Sequence, residues 1–176
     1  HLRSVGVGVS ISIGIGVHVG ELMLGVIGES QRMETTVISD AVNVASRLEK
    51  LTRRYDVGLV VSEHVMAKLS DRDQYRFRVL DKVQVKGRSE PLVIYEIFEG
   101  NPDSLIERKL GTQADYEEAL RLYYDRKFTE SNLLIAQALA KDPDDRVLHF
   151  HQQRIADAVA HGVPAEWVGV ETLKKK

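Results

Sequence analysis

The sequence predicts an α+β protein in which a mixed sheet with helices on one face is followed by a smaller all-α region. Two observations support this fold class. Before residue 100, hydrophobic residues recur with a period of two in some segments and with a helical period in others, so strands and helices interleave. After Gly100-Asn101-Pro102 only the helical period remains. We therefore expect a first domain over residues 1–100 and a helical region behind it.

The first predicted strand lies in a strongly apolar stretch. Residues 4–20 carry no acidic or basic side chain apart from a neutral His18, so a membrane span and a signal segment are the alternatives. However, hydrophobic residues alternate with small ones at a spacing of two from Val5 to Val17, and the stretch is shorter than the roughly 20 residues that a spanning helix needs. We expect a strand and no membrane segment in this chain. Because the sequence starts at His1 inside this strand pattern, we also expect a piece of a longer protein.

The other elements of the first domain follow from changes in period and from turn residues. We predict strands at 21–27, 33–38, 57–61, 75–85 and 92–98, a short helix at 63–69, and turns at 28–32 and Gly87. One hydrophobic stripe has helical spacing: Val37, Ala41, Val44, Leu48 and Leu51. A helix should therefore begin with Ser39 or Asp40 as its N-cap and end near Arg54.

Behind the first domain we expect a linker over residues 101–111, helices over 112–161 and a polar tail over 162–176. The first two helices are similar to a single tetratricopeptide unit. Asp115 and Ala119 stand where that repeat usually has a large aromatic residue and a glycine. One unit cannot bury its own faces, so it should pack on the first domain or on another copy. It would serve there as a stabilising cap or as a peptide-binding module.

Composition and charge place the chain among globular proteins. Its 176 residues are 43% hydrophobic and 28% charged, which excludes disordered and collagen-like classes. With 24 basic and 26 acidic residues the net charge is −2, so we expect no nucleic-acid partner. The absence of cysteine excludes thiolate catalysis, thiolate metal sites and disulfides. It fits a cytoplasmic location, including that of the cytoplasmic part of a membrane-anchored protein.

Familiar phosphate and metal motifs are absent from the sequence. The glycines from Gly14 to Gly20 resemble a dinucleotide fingerprint, but its third glycine would fall on Val19 and a strand follows instead of a helix. No glycine is followed by Lys and then Ser or Thr, which excludes the Walker motif. His149 and His151 are two apart on different helix faces, which disfavours a shared metal ion.

Asn43 and Arg47 are the best candidates for a functional site. They are four apart, and each precedes a residue of the hydrophobic stripe, so they form a polar edge beside the buried helix face. An amide and a guanidinium on one edge could bind one ligand, and arginine suits a phosphate because its planar fork stays charged and donates two hydrogen bonds. The alternative is a surface arginine paired with Asp40 or Glu49.

Four blocks in fixed order carry a family resemblance: residues 13–21 (IGIGVHVGE), 25–28 (GVIG), 36–49 (TVISDAVNVASRLE) and 85–88 (VKGR). Over residues 4–98 the chain resembles the C-terminal half of a class III adenylate/guanylate cyclase catalytic domain. The resemblance implies a partial ferredoxin-like sheet with helices and active sites between the subunits of a head-to-tail homodimer. It also implies conversion of ATP, or less favourably GTP, to the 3′,5′-cyclic nucleotide and pyrophosphate.

The same resemblance implies roles for individual residues. Arg47 matches the family's transition-state arginine and Asn43 matches the asparagine that orients the ribose, so both are expected to be catalytic. Thr36 stands at the base-selecting position, where a threonine resembles adenine-using bacterial enzymes. Lys86 matches the triphosphate-binding lysine, with Arg88 as the alternative.

The metal ions of the family, Mg²⁺ or Mn²⁺, are held by aspartates in the part of the domain that lies upstream of His1. Asp40 opens the helix beside Asn43 and does not replace them. We therefore expect no metal bound by this chain and no measurable turnover by the chain alone. The alternative function is a non-catalytic, cyclase-like module for dimerisation or interaction.

Overall fold

Seven strands and five helices alternate along residues 12–29, 32–85 and 90–173, which are the residues that the computed structural model describes. In chain order they are β1 Ile15–Val17, β2 Met23–Glu29, β3 Arg32–Ile38, α1 Asp40–Tyr55, β4 Leu59–Ser62, α2 Glu63–Met66, β5 Phe77–Val85, β6 Leu92–Ile97, α3 Asp103–Tyr124, α4 Phe128–Lys141, α5 Arg146–His161 and β7 Glu171–Leu173. The predicted helices and the strands after the first have a counterpart here, and of the first predicted strand the structure shows Ile15–Val17. Residues 4–11 of the first predicted strand and the predicted Gly87 turn lie outside the described residues.

Five of the described strands form one mixed sheet in the order β1-β4-β6-β5-β7. β1 runs parallel to β4 and β7 runs parallel to β5, whereas β6 is antiparallel to both of its neighbours. β2 and β3 form a separate antiparallel hairpin in which Gly25 lies opposite Thr36. The prediction of an α+β fold with a mixed sheet is confirmed.

Helix α1 has the predicted Ser39 cap and most of the predicted stripe, but Val37 belongs to β3 and not to the helix, and Ala41 is half-buried. The Ser39 side chain accepts a hydrogen bond from the backbone N of Ala41 at 2.9 Å, which satisfies one of the unpaired N–H groups of the first turn. Val44, Leu48 and Leu51 are buried. The helix ends at Tyr55, and the left-handed backbone of the following Asp56 (φ 55°) lets the N–H of Val57 also bond to the Thr52 carbonyl oxygen, at 2.9 Å.

Helix α1 packs directly against the glycines of the first strand region. A Cβ on Gly16 would lie 2.5 Å from the Ala45 carbonyl oxygen and 2.8 Å from the Leu48 carbonyl carbon, both backbone atoms of α1. A Cβ on Gly20 would lie 2.8 Å from the Ala41 Cβ. These glycines therefore permit close packing of helix on strand, which is a structural role distinct from phosphate binding.

Helices α3, α4 and α5, here called the extension, share one hydrophobic core with the sheet. Leu80 and Ile94 of the sheet and Leu48 of α1 belong to the same buried cluster as Tyr116 and Ile155 of the extension. The extension thus covers the sheet face beside α1, as a stabilising cap would. Its likeness to a tetratricopeptide unit stays a prediction. None of the helices in the described ranges combines the length and apolar character needed to cross a bilayer.

Two segments behind residue 100 differ from the sequence-based expectation. Residues 103–111, predicted as linker, form the first part of α3, where Lys109 is buried and bonds to Glu96. The predicted polar tail turns back onto the protein: Trp167 packs on Tyr123 with ring centroids 5.0 Å apart, and β7 pairs with β5. Both segments are ordered by contacts with residues distant in sequence.

A buried ionic cluster joins the sheet to the extension. Arg78 of β5 is fully buried and donates to Glu96 of β6 at 2.8 Å and to Asp145, the N-cap of α5, at 2.5 Å. Burial lowers the pKa of the Arg78 guanidinium, but Glu96 and Asp145 raise it by more, so the net pKa lies above its usual value. Breaking such a cluster leaves an unpaired buried charge.

Candidate functional site

The predicted site residues fall on the hairpin β2–β3, on helix α1 and on the segment between β5 and β6. Thr36 lies in β3, and Asn43 and Arg47 lie in α1. Lys86, together with its alternative Arg88, lies outside the described residues. Ser39 alone separates the end of β3 from the start of α1, so the structure brings Thr36 and Asn43 onto consecutive elements joined by one residue.

The N-terminal end of α1 is tied to the segment before β2. The Ser39 hydroxyl donates to the Glu21 carbonyl oxygen at 2.5 Å while it caps the helix. The Asn43 Nδ2 donates to the Ser39 carbonyl oxygen at 3.4 Å, a long hydrogen bond on an exposed side chain. The amide of Asn43 is therefore held near the helix start yet remains accessible to a ligand.

Arg47 lies one helical turn beyond Asn43 and is half-buried. Residues four apart on a helix lie about 6 Å from each other, so the two side chains can reach one ligand. Val44 and Leu48 next to them are fully buried and hold this side of the helix against the sheet. Glu49, one of the partners considered for Arg47, accepts a hydrogen bond from Arg53 at 2.9 Å.

The described residues do not fit a metal pair. Among them, no three or more His, Asp or Glu side chains converge on a common point. Asp40 is an exposed residue in the first turn of α1. His149 contacts the Pro143 carbonyl oxygen and His151 is buried against Leu80, so these histidines do not meet.

In the described part of the chain, cavities near the C-terminal half of α1 do not include Asn43 or Arg47. One of about 760 Å³ opens near Gly14, Thr52 and Asp56 at the C-terminal half of the helix. Another, of about 150 Å³, lies between Asp56, the buried Arg78 and the start of α5. Asn43 is exposed and Arg47 is half-buried on this helix.

A polar cluster at the C-terminal end of α1 was not predicted from the sequence. It is here called the Asp81 cluster and consists of Asp81, Tyr55, Tyr124 and Arg154. The fully buried Asp81 carboxylate accepts hydrogen bonds from Tyr55 at 2.7 Å, Tyr124 at 2.8 Å and Arg154 at 2.5 Å. Burial raises the pKa of the Asp81 carboxyl, but His151, Arg154 and the two tyrosine hydroxyls lower it by more, so the net pKa lies below its usual value. In the sequence, the signal that could have revealed this cluster is an acidic residue, Asp81, inside a predicted strand.

Comparison with known proteins gives a family match for the first domain. A family model described as "Adenylate and Guanylate cyclase catalytic domain" matches residues 3–98. "Adenylate cyclase" of Anabaena cylindrica is 46% identical over 82 residues, which cover 46% of this chain and 16% of that protein. "Adenylate cyclase, terminal-differentiation specific" of Dictyostelium discoideum is 30% identical over 139 residues, which cover 78% of this chain and 6% of that protein. The chain thus matches a sixth or less of the length of these two relatives.

Two solved structures are also similar to the chain. A bacterial light-regulated adenylyl cyclase shares 32% identity at a TM-score of 0.42, covering 55% of this chain and 27% of that one. The adenylyl cyclase CyaB from P. aeruginosa shares 30% identity at a TM-score of 0.43, covering 52% of this chain and 45% of that one.

Proposed function

Because the chain belongs to the adenylate and guanylate cyclase catalytic domain family, we propose that the full-length protein converts ATP to 3′,5′-cyclic AMP and pyrophosphate in signal transduction. The family match over residues 3–98 supports the reaction class. The proposed catalytic site is supported by one observation: Asn43 and Arg47 lie one turn apart on a helix whose start is held by Ser39. GTP is the less favoured substrate.

Arg47 is proposed to stabilise the transition state. Negative charge builds up on the α-phosphoryl oxygens during the transfer, and a guanidinium that is already in place can stabilise this charge without reorganisation. The half-buried position of Arg47 beside fully buried Val44 and Leu48 supports such a fixed orientation. Asn43, with its accessible amide, is proposed to orient the ribose.

The remaining roles follow from the family resemblance. Thr36 is proposed to select adenine, and its position in β3, three residues before the Ser39 cap of α1, supports a place near Asn43. Lys86 is proposed to bind the triphosphate, with Arg88 as the alternative. Mg²⁺ or Mn²⁺ would be held by aspartates that precede this segment in the family, so the 176-residue chain alone is proposed to be inactive. The ferredoxin-like arrangement belongs to the same proposal.

A head-to-tail homodimer is part of the proposal. Exposed hydrophobic side chains along β1 and the segment that follows support an interface there: Ile15 is 50% exposed, Leu22 58% and Met23 72%. Because ATP is supplied inside the cell, we place the domain in the cytoplasm.

Replacement of Arg47 by alanine in the full-length protein tests this function. We expect kcat for cyclic AMP formation to fall by about 100-fold or more with little change in KM, because the lost interaction acts in the transition state. Arg53→Ala is the matched control: its side chain is 80% exposed on the same helix and pairs with Glu49. If both variants keep wild-type turnover, the catalytic role of Arg47 is contradicted. A full-length protein without any cyclase activity would favour the non-catalytic interaction module.

A further inference from the structure

The C-terminal end of α1 contacts both the sheet and the extension: the Tyr55 hydroxyl donates to Asp81 of β5, and the Tyr55 ring packs on α5. Tyr55, the last residue of α1, is fully buried, and its ring meets Phe150 of α5 edge-on at 4.7 Å. The Arg54 guanidinium lies 4.8 Å from the centre of the same Phe150 ring. His151 of α5 stacks on Tyr55 at 6.2 Å. The end of α1 is thus enclosed by side chains of α5.

The Asp81 cluster connects this helix end to two helices of the extension. Asp81 receives the Tyr55 hydroxyl from α1, the Tyr124 hydroxyl from α3 and the Arg154 guanidinium from α5. The backbone N of Lys82 also donates to the carboxylate, at 2.7 Å. One buried carboxylate therefore fixes three helices relative to β5, and each donor comes from a different helix.

Helix α1 is consequently clamped at both ends. Its start is held by Ser39 and by close packing on Gly20, its middle packs on Gly16 at Ala45 and Leu48, and its end is held by the Asp81 cluster. Arg47 lies between the two clamps, eight residues or about 12 Å of helix before Tyr55. A helix behaves as a rigid element, so a shift at Tyr55 changes the direction in which Arg47 points.

We propose that Asp81 is a positioning residue that, through Tyr55, makes the extension set the orientation of α1 and therefore of Arg47. This inference rests on the proposed function for its catalytic consequence. Its mechanical part, the hold of the extension on α1, depends only on the contacts at the helix end. The extension is then an integral part of the catalytic unit and not an appended module.

Two conservative variants separate this role from general stabilisation. Tyr55→Phe and Tyr124→Phe each remove one hydroxyl donor from Asp81 and keep the ring, but only Tyr55 belongs to α1. In the 176-residue chain, Tyr55→Phe should speed amide hydrogen exchange in the last two turns of α1 by about fivefold relative to Tyr124→Phe. Amides of β6 should respond equally in both variants. Equal exchange in α1 of the two variants would overturn the proposal.

The full-length protein provides the second measurement. Tyr55→Phe should lower kcat by about tenfold at unchanged KM, whereas Tyr124→Phe should leave kcat within twofold, since small displacements of a catalytic group cost large factors in rate. An unchanged kcat in Tyr55→Phe, with Arg47→Ala inactive, would overturn the positioning role while leaving the proposed function intact. If the wild-type protein has no cyclase activity, the proposed function fails and the exchange comparison alone decides whether the Asp81 cluster holds the end of α1.

Discussion

Acidification should destabilise this protein through His151 of the extension. The ring is 1% exposed, lies among Tyr116 and Phe150 at centroid distances of 5.5 and 5.3 Å, and places Nε2 2.9 Å from the Leu80 carbonyl oxygen, to which it donates. Burial lowers the pKa of the His151 imidazole from 6.5 to about 4; the nearby Asp81 opposes this shift without cancelling it. The fold therefore holds the neutral imidazole.

The sign and size of the effect follow from these two pKa values. A group whose pKa is lower in the folded state contributes its full stability above the unfolded value, here 6.5, and loses it as the pH falls towards the folded value of about 4. Between pH 7 and pH 5 the unfolded histidine takes up a proton that the folded one does not. The free energy of unfolding should fall by about 2 kcal/mol from this residue alone.

Urea unfolding at pH 7 and pH 5, monitored through the single tryptophan Trp167, measures this loss. His151→Phe is the comparison, because phenylalanine keeps a ring among aromatic neighbours and does not titrate. The Leu80 carbonyl oxygen keeps its hydrogen bond from Tyr116 at 2.9 Å in that variant. The change in the free energy of unfolding between pH 7 and pH 5 is determined for each protein separately. A loss of stability that is equal at both pH values therefore does not affect the comparison. Equal pH dependence of the two proteins would refute the argument.

Two further outcomes are expected. Gly16→Ala should lower the free energy of unfolding by about 1–3 kcal/mol, since its Cβ would collide with the backbone of α1, whereas Gly25→Ala, with nothing within 4 Å of the added Cβ, should change it little; urea titration of both variants shows whether they differ. In the full-length protein, Thr36→Cys should alter the ratio of ATP to GTP turnover, and an unchanged ratio would contradict the role of Thr36 in base selection.

The fold of the first domain was largely predictable because its signals are local. The helical stripe from Val44 to Leu51 and the Ser39 cap depend on spacing alone, and both appear in the structure. The first part of α3 was not predictable in this way. Lys109 reads as a surface residue in sequence, and only its pairing with Glu96, a residue of the sheet, explains its burial.

The residue types of the candidate site could be predicted from the sequence, but the contacts that hold helix α1 in place could not. The position of Asn43 and Arg47 on one helix edge follows from their spacing, and their roles stay predictions. The support at the helix end was hidden, because Asp81 lies at an irregularity in the pairing of β5 with β6, between Val79 and Asp81, where the strict alternation of faces fails. A period-two pattern cannot reveal which strand residue turns inward at such a point.

The place of β7 at the outer edge of the sheet affects how the protein is made. Residues 171–173 supply the strand beside β5, although β5 itself is translated almost ninety residues earlier. During synthesis on the ribosome, backbone groups at the edge of β5 therefore remain unpaired until residue 173 has emerged. A product that terminates after α5 would keep this edge open to pairing with other chains, so the last strand covers the end of β5, from Val83 to Val85, only once it has been made.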